Sequence, residues 1–501
     1  MKKYIIGIDE GTTSCRSVLY DVTKNEIVDI SSRSFKSKYP HSGWVEQDAE
    51  KIYKLQLETI NELVKKVDAK NILCMGIANQ RETIVAWNKK TKKPVYNAIV
   101  WQCRRTAEYV ESLPKSIVKK IKDKTGLIAD AYFSATKIKW LLENVESVQQ
   151  LQKENNLCIG TIDSFMAYKL TGKFVTDVTN ASRTMLFNIN TLDYDDELLN
   201  YFNIPRSILP QVISNSEVIG NVLNYNFPLS SLVGDQQASL FGQGCFGAGK
   251  AKITYGTGGF LLFNIGKQPK HIPKILTTIA YKIKNSLCYA LEGSIYSASS
   301  TVNYMKDNLG FFFNPADTQT MAESVKTTNG VYFVPAFTGL GAPYWKSNAR
   351  ALICGINFDT KKEHIVRAGL ESMAYNTRAI IEQMAKCGVN VNRIKVDGGC
   401  SKNKFLLQFL ADINNIKVVK NKESEATVLG AIYLAGIAIG AMNIQKLNKI
   451  IQSSAIYSCK MKQEERDKLY LGWQNAVKMA TLNKENWYEK FYYENYSALF
   501  I

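Results

Sequence analysis

Histidine is almost absent from this 501-residue chain, with three copies at 41, 271 and 364. The ten cysteines (15, 74, 103, 158, 245, 288, 354, 387, 400 and 459) stand far apart, and no two form a C-x-x-C pair. These absences leave no visible metal-ligand cluster and no disulfide framework. Arginine is scarce too: 12 of the 63 basic residues, which leaves 51 lysines against 45 Asp+Glu and a formal net charge of +18. Readers of phosphate backbones and bases favour the planar Arg fork. The scattered Lys excess, with short clusters at 89–93 and 119–124, therefore reads as a solvated surface, and nucleic-acid binding rests on charge alone. No low-complexity tract divides the chain, and 46% hydrophobic with 22% charged residues excludes disordered and collagen-like classes. The N-terminus MKKYIIGID is charged too soon for a signal peptide, and residues 497–501 (SALFI) match no retention signal, so the expected location is the reducing cytoplasm. No apolar run reaches the roughly 20 residues that span a bilayer. The nearest, 426–442, carries no charge but contains Gly430, Gly436 and Gly440, and reads as a buried small-residue helix packed tightly on a neighbour.

At about one domain per 150 residues, the length suits two large domains or three smaller ones. Apolar strands at 4–8 and 16–20 flank a turn, a spacing that predicts a hairpin. Further strands are expected at 72–77, 83–87 and 157–161, and Ile52, Leu55, Ile60 and Leu63 recur at helical spacing within 49–67. Near the middle, 231–235 ends a strand, 236–242 continues as a helix, and 251–260 repeats the opening logic of strand, Gly/Thr turn and strand. The two hairpins read as equivalent elements of two related halves meeting near residue 245.

Two familiar nucleotide fingerprints are decoys. Residues 244–251 (GCFGAGKA) nearly spell a Walker A loop but end in Ala251, where a hydroxyl should hold Mg²⁺. Residues 242–247 show the Rossmann spacing. Both motifs need a strand before and a helix after, and here the predicted order is reversed.

Three other Gly-rich turns have a better context. Asp9-Glu10-Gly11-Thr12-Thr13-Ser14 offers a carboxylate at a strand end, then backbone amides and hydroxyls, with Arg16 following. Gly256-Thr257-Gly258-Gly259 forms a second concavity of amides. Asp397-Gly398-Gly399 ends a strand and precedes a helix at 405–413, so a ribose or flat base could approach the backbone. Two hairpins followed by strand–GG–helix resemble the actin/Hsp70/sugar-kinase ATPases, whose nucleotide lies between two lobes. Longer blocks sharpen the likeness: 7–14 (GIDEGTTS), 79–83 (NQRET), 101–106 (WQCRRT), 132–144 (YFSATKIKWLLEN), 234–238 (GDQQA), 255–258 (YGTG) and 335–345 (PAFTGLGAPYW). On these blocks the chain resembles the FGGY carbohydrate kinases and, among them, the glycerol kinases.

The resemblance implies an α/β, two-lobed actin-like ATPase (ribonuclease H-like) fold, with domains 1–245 and 246–501 and with ATP and substrate in the cleft between them. It implies transfer of the γ-phosphate of ATP to glycerol with Mg²⁺, giving sn-glycerol 3-phosphate, and a homodimer. Asp235 matches the family's general base, the proton acceptor a hydroxyl needs when it attacks a phosphoryl group. Asp9 matches the Mg²⁺-organising carboxylate. Arg81, Glu82, Tyr132, Asp235 and Gln236 match the polyol contacts, a mixed set of donors and acceptors, and Trp101 and Phe260 match aromatic walls over the carbon chain. Thr12, Thr13, Ser14, Arg16 and Thr257 match phosphate contacts, Gly399 and Asn403 match contacts on the adenosine side, and Ser299 and Asn303 stand at further nucleotide-contact positions. Four residues depart from the family pattern: Glu10 and Asn303 where Gln is common, Cys15 where Ser is usual, and Ser299 where Gly approaches the nucleotide. Residues 219–230 lack the Gly- and Arg-containing loop through which some bacterial members bind fructose 1,6-bisphosphate, and lack the regulatory His of others. Alternatives are another FGGY kinase acting on a pentulose or tetritol, or an actin- or chaperone-like ATPase with no need for the polyol residues.

Overall fold

The computed structural model describes residues 3–482, so the expectation for residues 497–501 lies outside the described residues. The first predicted hairpin is β1 (Tyr4–Glu10) and β2 (Ser14–Asp21), antiparallel, with Asp9 opposite Arg16. The Gly11 N–H donates to the Ser14 carbonyl at 2.9 Å and closes the turn. Next come β3 (Glu26–Ser34) and α1 (Ala49–Val67), the latter with the predicted bounds. Asp48 caps α1 by accepting from the Lys51 N–H at 3.0 Å, and Ile52, Ile60 and Leu63 form its buried stripe. β4 (Ile72–Asn79), β5 (Ser216–Asn221) and β6 (Pro228–Gly234) complete a six-stranded sheet in the order β5-β6-β4-β1-β2-β3. The other two predicted strands, Ile84–Asn88 and Leu157–Thr161, pair in a separate four-stranded sheet.

The second half repeats this plan. β7 (Ala251–Tyr255) and β8 (Gly259–Gly266) form the second hairpin. They join β9 (Leu276–Ile283), β10 (Ser286–Ile295), β11 (Arg393–Asp397), β12 (Lys417–Asn421) and β13 (Ser453–Tyr457) in the order β9-β10-β8-β7-β11-β12-β13. In each sheet the first hairpin strand lies centrally, with antiparallel strands on one side and, on the other, two parallel strands followed by an antiparallel edge strand. The likeness of two short hairpins is thus a repeat of whole sheets. The decoy motifs fall as expected, with a helix before 243–250 and a strand after it.

Each sheet's last parallel strand feeds a helix: β6 runs into α2 (Asp235–Gly242), and β12 precedes α4 (Ala426–Ala438). The strand–GG–helix unit between them ends in α3 (Lys404–Asn414). α2 leaves the first sheet yet packs on β7, β8 and β9 of the second. α4 leaves the second and packs on β1, β4 and β6 of the first. The helices cross at glycines: a Cβ on Gly242 would stand 1.9 Å from the Ala426 carbonyl oxygen, and one on Gly430 1.9 Å from that of Ala238. This contact explains the charge-free Gly-containing segment, which is buried on every face over most of its length. Among the described residues no helix is long and apolar enough to cross a membrane. Gly430→Ala is expected to destabilise the protein by about 1–3 kcal/mol through overpacking, although Ala is the better helix former. Denaturant unfolding checks this; equal stability would show that the crossing tolerates a methyl group.

Candidate active site

Asp235 is the first residue of α2, so the crossing that brings α2 onto the second sheet also carries this carboxylate between the halves. Two cavities meet there. The smaller, about 140 Å³, is lined by Thr12, Arg81, Glu82, Trp101, Tyr132, Asp235, Gln236, Thr254, Gly256, Thr257, Gly258 and Phe260. The larger, about 400 Å³, is lined by Asp9, Arg16, Asp235, Gln236, Thr254, Gly256, Asp397, Gly398, Gly399, Lys402 and residues 424–427. Asp235, Gln236, Thr254 and Gly256 belong to both.

All seven residues expected at the polyol site line the small cavity. Arg81 and Glu82 sit in the loop after β4, where Glu82 is held in the left-handed region at φ 61°, a conformation a side chain rarely adopts without compensation. Gly234 makes room for Arg81, because a Cβ there would meet Arg81 Cγ and Cδ at 2.8 Å. Trp101 and Phe260 meet edge to face, with ring centroids 6.3 Å apart and planes at 75°, and Trp101 Nε1 donates to Thr12 Oγ1 at 3.0 Å. Tyr132 lies against Trp101 at 5.6 Å and takes the long edge of the Arg81 fork at 3.5 Å. Its carbonyl accepts at 2.5 Å from Lys137, a wholly buried amine that burial lowers to about 8.

The nucleotide-side residues divide. Asp9, Arg16 and Gly399 line the large cavity, and Thr12 and Thr257 the small one. Thr13, Ser14, Ser299, Asn303 and Asn403 line neither. The Thr13 carbonyl accepts from the N–H of Phe35, just after β3, and the Ser14 carbonyl from that of Gly11 within the hairpin turn. The Ser299 hydroxyl meets Cys400 Sγ at 3.1 Å, and Asn303 is exposed on the helix Ser299–Asp307. Asn403 caps α3, accepting from the Leu406 N–H at 3.0 Å. Glu10 faces away from both cavities. It is fully buried, accepts from Gln80 Nε2 at 3.0 Å and has its second oxygen unpartnered. Burial raises its carboxyl well above the usual range, with repulsion from Asp9 and Asp235 adding to the effect and the Gln80 bond opposing it.

Burial raises Asp235 as well, opposed by Arg81 and Lys252 and assisted by Asp9. The Asp235 carboxylate lies 3.4 Å from Arg81 Nε, and its side chain is 27% exposed. Burial raises Asp9 against the pull of Arg16, which donates to it at 2.6 Å and to Glu425 at 2.9 Å. Asp9 and Asp235 thus border the large cavity with hard oxygen donors. Among the described residues no three His, Cys, Asp or Glu converge to enclose a metal ion. This donor set fits a cation that arrives with phosphate oxygens and water, as Mg²⁺ does, rather than an all-protein cage.

Three buried charges escaped the sequence reading. Glu292 on β10 accepts from Arg81 Nη1 at 2.7 Å and Nη2 at 2.9 Å. Arg183 donates to Glu82 at 2.5 Å and to Glu292 at 3.0 Å. Lys252 on β7 donates to Gln236 Oε1 at 2.6 Å and Thr254 Oγ1 at 2.8 Å, and burial lowers its amine to about 8. Glu292 and Lys252 were detectable as lone charges in otherwise uncharged strands, LCYALEGSI and AKITY.

Two sheets joined by crossed helices, with a carboxylate where a small and a larger cavity meet, define a two-lobed group-transfer enzyme. Residues 4–242 match the FGGY family of carbohydrate kinases, N-terminal domain, and residues 251–439 match its C-terminal domain. The chain is 45% identical over 487 residues to a glycerol kinase of Thermococcus kodakarensis, covering 96% of this chain and 97% of the relative. It is 48% identical over 485 residues to one of Saccharolobus islandicus, covering 95% and 97%. Among solved structures, Plasmodium falciparum glycerol kinase with ADP superposes with a TM-score of 0.88 at 36% identity, covering 96% of this chain and 98% of that one. Lactobacillus acidophilus gluconate kinase gives 0.85 at 24% identity over 96% and 99%, a likeness of fold. The chain belongs to the FGGY family of carbohydrate kinases, and its fold is the two-lobed actin-like ATPase fold.

Because Lys252 orients Gln236 beside Asp235, Lys252→Met is expected to lower kcat by roughly 10²-fold with native circular dichroism. Steady-state turnover checks this, and a wild-type rate would remove Lys252 from the site.

Proposed function

We propose that this chain is an ATP-dependent glycerol kinase that forms sn-glycerol 3-phosphate and ADP. One observation carries the reading: the acceptor-sized cavity and the larger cavity share Asp235, so a hydroxyl in one and a γ-phosphate in the other meet beside a carboxylate. Relatives 45–48% identical over nearly the whole chain bear the name glycerol kinase.

In this reading glycerol lies between Trp101 and Phe260, with Arg81, Glu82, Tyr132 and Gln236 exchanging hydrogen bonds with its hydroxyls. Asp235 accepts the proton of the attacking hydroxyl as the new O–P bond forms and the bond to the β-phosphate oxygen breaks. A carboxyl raised by burial is a stronger base than a solvated one, which suits that role. The hairpin amides around Gly11 and Gly256–Gly258 hold phosphate oxygens, and Gly398 and Gly399 leave the nucleoside side open. Asp9 would hold Mg²⁺ together with the nucleotide, and the ion when bound would neutralise phosphate charge. Arg16 faces the same phosphates once it exchanges its carboxylate partners. Ser14, Thr13, Ser299, Asn303 and Asn403 remain family-derived nucleotide contacts in this proposal. So do a cytoplasmic homodimer and a domain division near residue 245, the last supported by the sheets lying on either side of it.

The close aromatic walls favour a three-carbon acceptor over a pentulose. Turnover with glycerol, dihydroxyacetone, erythritol, ribulose and xylulose decides between them: glycerol is expected to give the highest kcat/KM, and a five-carbon optimum would overturn the assignment. Asp235→Asn is expected to lower kcat by about 10²–10⁴-fold while nucleotide binding, read by calorimetry, persists. Near-normal turnover would remove Asp235 as the base.

A further inference from the structure

The floor of the small cavity is a charge cluster built from both halves. Arg81 and Glu82 come from the loop after β4 and Arg183 from the segment after the helix Val178–Ala181, all in the first half, whereas Glu292 comes from β10 in the second. The Arg81, Glu82, Arg183 and Glu292 side chains are each 0–1% exposed. Both oxygens of Glu292 bind the two ends of the Arg81 fork, and Oε1 also accepts from Arg183 and from Ser294 Oγ at 3.2 Å. This is the bidentate geometry that most restricts a guanidinium. The fork is thereby committed, and only the Nε edge of Arg81 is turned to Asp235, at 3.4 Å.

We infer that Glu292 is a positioning residue of the acceptor site: reaching from the second half, it fixes the Arg81 guanidinium so that its Nε edge and Tyr132 side, rather than its fork, border the acceptor beside Asp235. This inference rests on the acceptor-site reading above. It follows from the choices open to Arg81 without Glu292. Its other carboxylate neighbours are Asp235 at 3.4 Å and Glu82 at 3.9 Å, and Glu82 is already held by Arg183. A freed fork would turn to Asp235, occupying the residue that borders both cavities and filling space meant for the acceptor. Burial by itself would raise the Glu292 carboxyl, but the Arg183 and Arg81 charges hold it down to about 2, so it stays ionised.

The test uses Glu292→Gln and Glu292→Asp in the full chain, with whichever acceptor of the five-compound panel the wild type turns over fastest. A failed glycerol assignment is then seen in the wild type and leaves this test intact. For Glu292→Gln the acceptor KM is expected to rise at least tenfold and acceptor binding without nucleotide to weaken in parallel, while the KM for ATP stays within twofold. Glu292→Asp, which keeps the charge but shortens the reach, is expected to fall between Gln and wild type. A purely structural role would lower thermal stability without separating the two KM values. The inference is overturned if folded Glu292→Gln keeps an acceptor KM within twofold of wild type, or if both KM values change together. If the Gln variant does not fold, Glu292→Asp decides by the same criterion.

Discussion

Everything in the cleft depends on two helices that touch through their backbones. α2 and α4 cross where Gly242 and Gly430 leave no room for a side chain, and each lies on the sheet from which the other emerges. This exchange gives two related sheets a common axis. Side-chain contacts extend it: Ser231 Oγ donates to the Ala431 carbonyl at 2.8 Å, tying β6 to α4. The N-terminus of α2 therefore lies on the axis, and the site of group transfer is placed by helix packing before any catalytic chemistry is considered. A carboxylate at the start of a helix also receives the positive end of the helix dipole, which eases its burial.

The second constraint is electrostatic. Burying two arginines and two glutamates costs several kcal/mol per ion in desolvation, and the ions repay it only with near-complete hydrogen bonding. The cluster below the small cavity largely meets that condition, with one Arg183 nitrogen left unpartnered. Hydrophobic replacements of similar volume would support the fold as well. Retaining four charges there is consistent with a cavity whose occupant is polar and must be oriented.

Much of this was legible in the sequence because local signals agreed. The hairpins, the bounds of α1 and the buried character of α4 follow from turn chemistry, apolar spacing and missing charge. The residues of the small cavity came from motif blocks, since nothing in local spacing tells that Arg81 and Phe260 will meet. What stayed hidden is the pairing across the chain: Glu292 is 211 positions from Arg81, and a single carboxylate in a strand does not name its partner. Asn403 illustrates a different limit. Its type and position suit both a nucleotide contact and a helix cap, and in this structure its side chain serves the cap. Glu10 stands in the sequence beside the phosphate turn where Gln is common, and nothing local sets its direction, which the Gln80 amide, 70 residues away, fixes.

Three ion pairs among the described residues cross between the halves, Arg81–Glu292 and Arg183–Glu292 beside the small cavity and Arg16–Glu425 beside the large one, and their surroundings assign them different parts in closure. Arg81–Glu292 lies at the floor with both side chains fully buried, where breaking one partner of a pair costs about 3–5 kcal/mol. Arg16–Glu425 lies at the large cavity, with side chains 35% and 26% exposed, where such a pair contributes about 1 kcal/mol or less. The floor is therefore fixed and the mouth weakly closed. Arg16 also binds Asp9, so its charge is already spent on two carboxylates. A nucleoside triphosphate would offer Arg16 a more highly charged partner, and Asp9, released from the arginine, would be free to hold a cation bound with it. On the proposed function, the two exchanges would be satisfied together by a cation and nucleotide arriving as a pair. The pairing of Arg16 with Asp9 and Glu425 thus couples nucleotide binding to opening of the mouth, and the +18 surface charge has no part in it beyond long-range attraction.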